Sequence, residues 1–311
     1  MTPRASKVGR TVLVIRVHSA RTLPPTVHMS TPTTPPISRA ALTTFLVLTF
    51  AGSAVWWWLI ISGGSLGANG GKYVFYLMWT PGTSALITRL IFQRDLRGQG
   101  WMPGAPKYLA TSYLLPIAYA TVAYSAIWAL GLGGVDLARF KTPVATFILL
   151  GSLQSFLSAT GEELGWRGFL VPAFAQRMNF TRTAVLSGAI WAAWHVPLIL
   201  FADYNSGTPG WYSVLCFGVA VISMGVIAAW LRLRSGSVWT AAILHASHNL
   251  YVQAFFDRVT VDTGPTKWLT GEFGASLAIA IALTAYVFWT KREAVATTIA
   301  ADGGATARAA A

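Results

Sequence analysis

Apolar residues gather into eight stretches along the chain, roughly residues 40–62, 73–93, 108–130, 143–161, 184–202, 212–231, 238–256 and 273–290. Each is close to the ~20 residues that a helix needs to cross ~30 Å of hydrocarbon. Breaks rich in Gly, Pro and charge separate them, as at Gly63–Gly71, Arg94–Gly104 and Gly131–Thr142. Trp56–Trp58, Trp211 and Trp289 stand near segment ends, where aromatic belts sit. No fixed-period repeat is visible. The pattern predicts an all-α, polytopic membrane helix bundle of about eight transmembrane helices, with residues 40–292 as its single helical domain.

The flanks differ. Residues 1–39 carry six Lys or Arg, a Pro/Thr cluster and no long apolar run. The run Thr11–Val17 is too short for a signal-peptide core and is interrupted by Arg16. A disordered basic tail is expected there, with Met29 as an alternative start. Residues 293–311, Ala-rich, are expected to form a flexible C-terminal tail.

Composition supports the membrane reading. The chain is 54% hydrophobic and 11% charged, against about 25% charged in soluble domains, and its mean hydropathy is +0.53. In 311 residues a soluble fold cannot hide that much apolar surface. The single cysteine, Cys216, excludes a disulfide framework and a Cys-based zinc site. A net charge of +13 would otherwise suggest nucleic acid, but its placement argues against that. With the N-terminus cytoplasmic, 18 of the 23 Lys/Arg fall on the inner side. The positive-inside rule then puts both termini in the cytoplasm of a multi-pass cell-membrane protein. The charge is topology, and no nucleic-acid partner is expected.

Ionisable groups in a membrane are costly, so those that persist are functional candidates. Three of the five His lie inside apolar segments, and two of the four Glu are adjacent at the end of segment four. There, Glu163 and Arg167 stand at i,i+4 and can pair on one helix face. Glu162 points about 100° away, which leaves it unpaired and able to face a cavity as a general base for water. His195, on segment five, lies about 16 Å along its helix from the inner side. Pro197 removes an amide donor nearby and so frees the Ala193 carbonyl. Trp191 and Trp194 read equally as packing or lipid-facing residues. On segment seven, His245 and Asn249 share a face at i,i+4. Each feature alone also reads as an interfacial charge cluster or a helix–helix hydrogen bond. Together they place Glu, His and His/Asn on three segments at depths that can meet.

The ordered set EExxxR, aromatic-xxx-His and HxxxN resembles the CPBP intramembrane proteases, which include the type II CAAX prenyl endopeptidases and the abortive-infection-like proteins. It covers about residues 140–255, through Glu162, Glu163, Arg167, His195, His245 and Asn249. Trp191 stands where the family usually has Phe, a mild change of packing. His248 is additional to the motif and takes no role from it.

The resemblance implies hydrolysis of a peptide bond in a membrane-associated protein or peptide, at a site opening to the cytoplasmic side. Glu162 would activate water with help from His195. His245 and Asn249 would hold the water or stabilise the oxyanion, and Glu163 and Arg167 would brace the motif. A divalent metal such as zinc, held by His195 and His245, is left open, since no HExxH is present. Neither GxGD nor GxSG occurs, against aspartyl and rhomboid-type sites. The competing functions are a non-catalytic partner-binding or immunity protein and a small-solute transporter. Substrate and oligomeric state are not readable.

Overall fold

All eight apolar stretches become helices in the computed structural model, which describes residues 36–295. They are α1 Arg39–Ser62, α2 Gly71–Phe92, α3 Pro106–Ala129, α4 Val144–Ala175, α5 Phe180–Phe201, α6 Gly210–Ser235, α7 at 239–259 and α8 Ala275–Thr290. Four of them, α1, α4, α5 and α6, are long and apolar enough to cross a membrane, and α8 is a shorter apolar helix. Local chemistry sets several starts. Ser38 caps α1 by accepting the Ala41 N–H at 3.0 Å, and Asn179 caps α5 by accepting that of Arg182, also at 3.0 Å. Pro106 opens α3 at a position where no amide donor is needed.

The fourth helix departs from expectation. It does not end near residue 161 but runs on to Ala175. Hydropathy falls at Glu162, Glu163 and Arg167, so an apolar count stops there. The helix continues because these charges are satisfied within the protein. Two π-helical turns interrupt α4, at Phe147–Gly151 and Trp166–Leu170, and a longer one, Asn249–Phe256, lies in α7. Such turns break the regular ladder and are frequent at functional sites. A two-residue pair of strands, Gly134–Val135 against Thr260–Val261, is a small departure from an all-helical chain. It clips the α3–α4 loop to the end of α7.

Of the expected tails, residues 1–35 and 296–311 lie outside the described residues. At the inner margin of the first, Ile37 is buried, and its N–H donates to Gln176 Oε1 at 2.9 Å.

Two contacts decide where the chemistry sits. First, α2 and α4 meet backbone to backbone. A Cβ on Gly161 would lie 2.7 Å from the Met78 carbonyl oxygen, and one on Gly165 only 2.5 Å from Pro81 Cβ. The spacing is the small-xxx-small signature of close helix approach in membranes. Second, α7 packs on both α3 and α4, while α6 packs against α5, α7 and α8. The C-terminal half of α4 is therefore buried on all sides from Ala159 to Val171. Its N-terminal half, by contrast, exposes Leu149, Leu150 and Leu153.

Candidate functional site

Adjacent residues on a helix diverge by about 100°, and Glu162 and Glu163 accordingly meet different partners. Arg167 Nη1 donates to the two Glu163 oxygens at 2.9 and 3.1 Å, the i,i+4 pair expected from spacing. Both side chains are only 1% exposed, so the pair has left water entirely. The guanidinium also lies over the Trp191 ring, 4.0 Å from its centroid. From α7, His245 Nδ1 donates to Glu163 Oε1 at 3.0 Å. A carboxylate only accepts, so Nδ1 carries a proton.

Glu162 is hydrogen-bonded rather than unpaired, contrary to the expectation from helix spacing. Its Oε2 accepts the Trp191 indole N–H at 2.7 Å and that of Trp166 at 3.3 Å. Trp191 is therefore neither simple packing nor lipid-facing; it is a donor from α5 to a carboxylate on α4. A phenylalanine at that position would have no N–H to give, so its difference from the usual family residue changes chemistry as well as packing. Trp194 also turns inward and donates to Ser53 Oγ at 2.7 Å.

His195 Nδ1 lies 2.9 Å from the Trp191 carbonyl oxygen, one turn back on α5. The carbonyl accepts, so this imidazole too is Nδ1–H and carries its lone pair on Nε2. The oxygen used is that of Trp191 and not the Ala193 carbonyl that Pro197 leaves without its amide donor. Aromatic rings enclose the imidazole: Trp194 at 4.7 Å and Phe217 at 4.9 Å between centroids.

Glu162, His195, His245 and Asn249 line one cavity of about 310 Å³. Glu163 and Arg167 stand behind it. Most of the remaining wall is apolar, including Leu77, Leu198, Val221 and Met224. Among the described residues, no group of three or more His, Cys, Asp or Glu side chains gathers so that it could hold a metal ion. The donors as placed do not make a coordination shell.

Several members of the site fall outside the motifs. His248 Nε2 lies 3.1 Å from Glu272 Oε1, and Tyr204 O–H donates to Glu272 Oε2 at 2.8 Å. Tyr204, His248, Gln253 and Glu272 all line the same cavity. The sequence signals for His248 are its place inside an apolar segment and its position three residues after His245, near the same helix face. A second group holds the C-terminal part of α4. The π turn there leaves carbonyls that take side-chain donors: Leu164 from Gln99, Arg167 from Arg232 Nε at 3.0 Å, and Gly168 from Arg89 Nη2 at 3.1 Å. Arg89 and Arg232, counted above as topological charges, are therefore buried structural donors as well.

Residues 143–251 match the family model described as type II CAAX prenyl endopeptidase Rce1-like. All six motif residues, from Glu162 to Asn249, fall inside that window. "CAAX prenyl protease 2" of Methanococcus maripaludis is 34% identical over 125 residues, covering 38% of this chain and 42% of that relative. The chain thus matches less than half of the relative's length. By motif order, family model and relative alike, the stretch from 143 to 251 is similar to the type II CAAX prenyl endopeptidase Rce1-like family.

Proposed function

We propose that the chain is an intramembrane endopeptidase that hydrolyses a peptide bond of a membrane-associated protein or peptide with a glutamate-activated water. The observation that carries this reading is the convergence of Glu162, His195, His245 and Asn249, from three separate helices, on one cavity.

The residues divide the work. The two indole donors hold Glu162 through Oε2, which leaves Oε1 as the oxygen to take a proton from water. His195 Nε2 accepts the water's second hydrogen and orients a lone pair toward the scissile carbonyl carbon. As the C–O bond forms, the carbonyl oxygen becomes an oxyanion, which the Asn249 amide N–H stabilises. His245 adds a second donor when its ring is an imidazolium, its Nδ1–H already being given to Glu163. The proton on Glu162 then passes to the departing amine as the C–N bond breaks. Glu163 and Arg167 fix α4 and His245 in place, so that these groups need little reorganisation. No step is routed through a metal.

We read the eight helices as eight crossings of the cell membrane, with both termini cytoplasmic and the cavity opening toward the cytoplasm. The bias of Lys and Arg supports that topology. The relative's name makes prenylated CAAX proteins the first substrates to try. The test is cleavage of fluorophore-quenched, membrane-tethered peptides by the purified chain in detergent or nanodiscs. Cleavage abolished by Glu162→Gln supports the reading, whereas a folded protein that cleaves none of a broad tethered library refutes it.

A further inference from the structure

The cavity has a second polar wall, built by a residue far from every motif. Glu272 lies in the loop before α8 and reaches two other elements. Its Oε2 accepts the O–H of Tyr204, from the α5–α6 loop, at 2.8 Å. Its Oε1 is 3.1 Å from His248 Nε2 on α7, and His248 Nδ1 is in turn 2.6 Å from the Tyr119 hydroxyl on α3. The same loop is held further by the Gly271 N–H, which donates to the Tyr124 hydroxyl at 2.9 Å, while Tyr124 donates to Asp257. The next residue, Phe273, stacks on Phe217 with ring centroids 5.4 Å apart and meets Tyr204 edge-on at 5.1 Å. Phe217 and Tyr204 are two of the rings around His195, at 4.9 and 6.1 Å.

We propose that Glu272 is a positioning residue for His195, acting by clamping Tyr204 and His248 so that the Tyr204–Phe217–Phe273 stack holds the imidazole against the catalytic cavity. A single hydrogen bond from Nδ1 to a carbonyl leaves a ring free to tilt. Aromatic walls remove that freedom only if they are themselves anchored, and the carboxylate anchors them. This rests on the endopeptidase reading for its kinetic test but not for its spectroscopic one.

The experiment compares Glu272→Ala and Glu272→Gln with the wild-type chain in nanodiscs, using a cleaved tethered peptide and ring-¹⁵N histidine NMR. In Glu272→Ala, kcat should fall about 10–100-fold, the cost of slightly misplacing a catalytic group, while KM changes by less than about threefold. His195, a single Nδ1–H tautomer in the wild type, should show tautomer averaging. Glu272→Gln should be rescued to within about threefold, with the wild-type His195 signal. Its carbonyl accepts from Tyr204, and its amide donates to His248 in the other tautomer. If Glu272→Ala does not fold, Tyr204→Phe, which keeps the ring and removes the clamped O–H, replaces it with the same expectations. Unchanged kcat and unchanged His195 signals in the alanine variant overturn the proposal. So does a glutamine variant as impaired as alanine, since charge rather than position would then matter. If the wild type cleaves nothing, the endopeptidase reading fails, and the His195 signals alone decide the positioning role.

Discussion

At Glu162 and Glu163, one step of helix separates two carboxylates with different partners, and under the proposed mechanism substitution should separate them. Glu162→Gln keeps size and an acceptor for the Trp191 indole but cannot take a proton from water. A general base contributes about 10²–10⁴-fold, so cleavage should fall by at least that much while thermal unfolding barely moves. Near-full activity in a folded Glu162→Gln protein would mean that the base lies elsewhere. Glu163→Gln leaves the buried Arg167 cation without its anion and weakens the hold on His245. Removing one partner of a buried ion pair costs about 3–5 kcal/mol, so a clear drop in melting temperature should accompany the loss of activity. Equal melting temperatures for the two glutamine variants would contradict this division. The same residues bear on metal. With the Glu162 carboxylate acting on water directly, strong chelators should leave cleavage intact once detergent effects are controlled. Loss on chelation with recovery on added zinc would instead make His195 and His245 ligands.

Among the elements, α4 is the one whose placement matters most, because it carries Glu162 and Glu163 into a buried position. Its close approach to α2 depends on the absence of side chains at Gly161 and Gly165. Gly165→Ala would drive a Cβ to within 2.7 Å of three Pro81 atoms, two of them backbone, so the helices must part. Overpacking of that kind costs about 1–3 kcal/mol, and the displacement carries the carboxylates with it. The expected result is lower thermal stability together with reduced cleavage. Gly218→Ala on α6, where a Cβ meets nothing within 4 Å, is the matched control and should be neutral. If both variants behave alike, the backbone contact does not position α4.

For the whole molecule, the proposed orientation rests on charge rather than on packing. Reporter fusions after residue 308 should read cytoplasmic, and fusions within the α3–α4 loop, at about residues 131–142, should read outside. The opposite pair of readings inverts the bundle. Two readings on the same side remove one span and with it the inner position of Glu162. The bundle also explains why the cavity is apolar over much of its wall. Helices pack inward through residues such as Leu77, Val221 and Met224, and some of the polar groups that enter meet a partner from another helix, as Glu162 meets Trp191.

Element boundaries were legible from the sequence because they depend on local hydropathy. Seven of the eight stretches match their helices closely, and the exception, α4, runs on where its charges find partners. The Glu163–Arg167 pair was legible for a similar reason: helical geometry places residues four apart on one face whatever surrounds them. The ordered motifs marked Glu162, His195, His245 and Asn249 as a set. Tertiary structure alone decided what each of them touches. The Trp191 indole reaches Glu162 across 29 residues and Glu272 reaches His248 across 24, distances over which no periodicity carries information. The close contact at Gly161 and Gly165 needed α2 beside it before the missing Cβ atoms meant anything. Hydropathy and helical phase belong to a segment by itself, whereas a hydrogen bond between helices exists only once packing has chosen which faces meet.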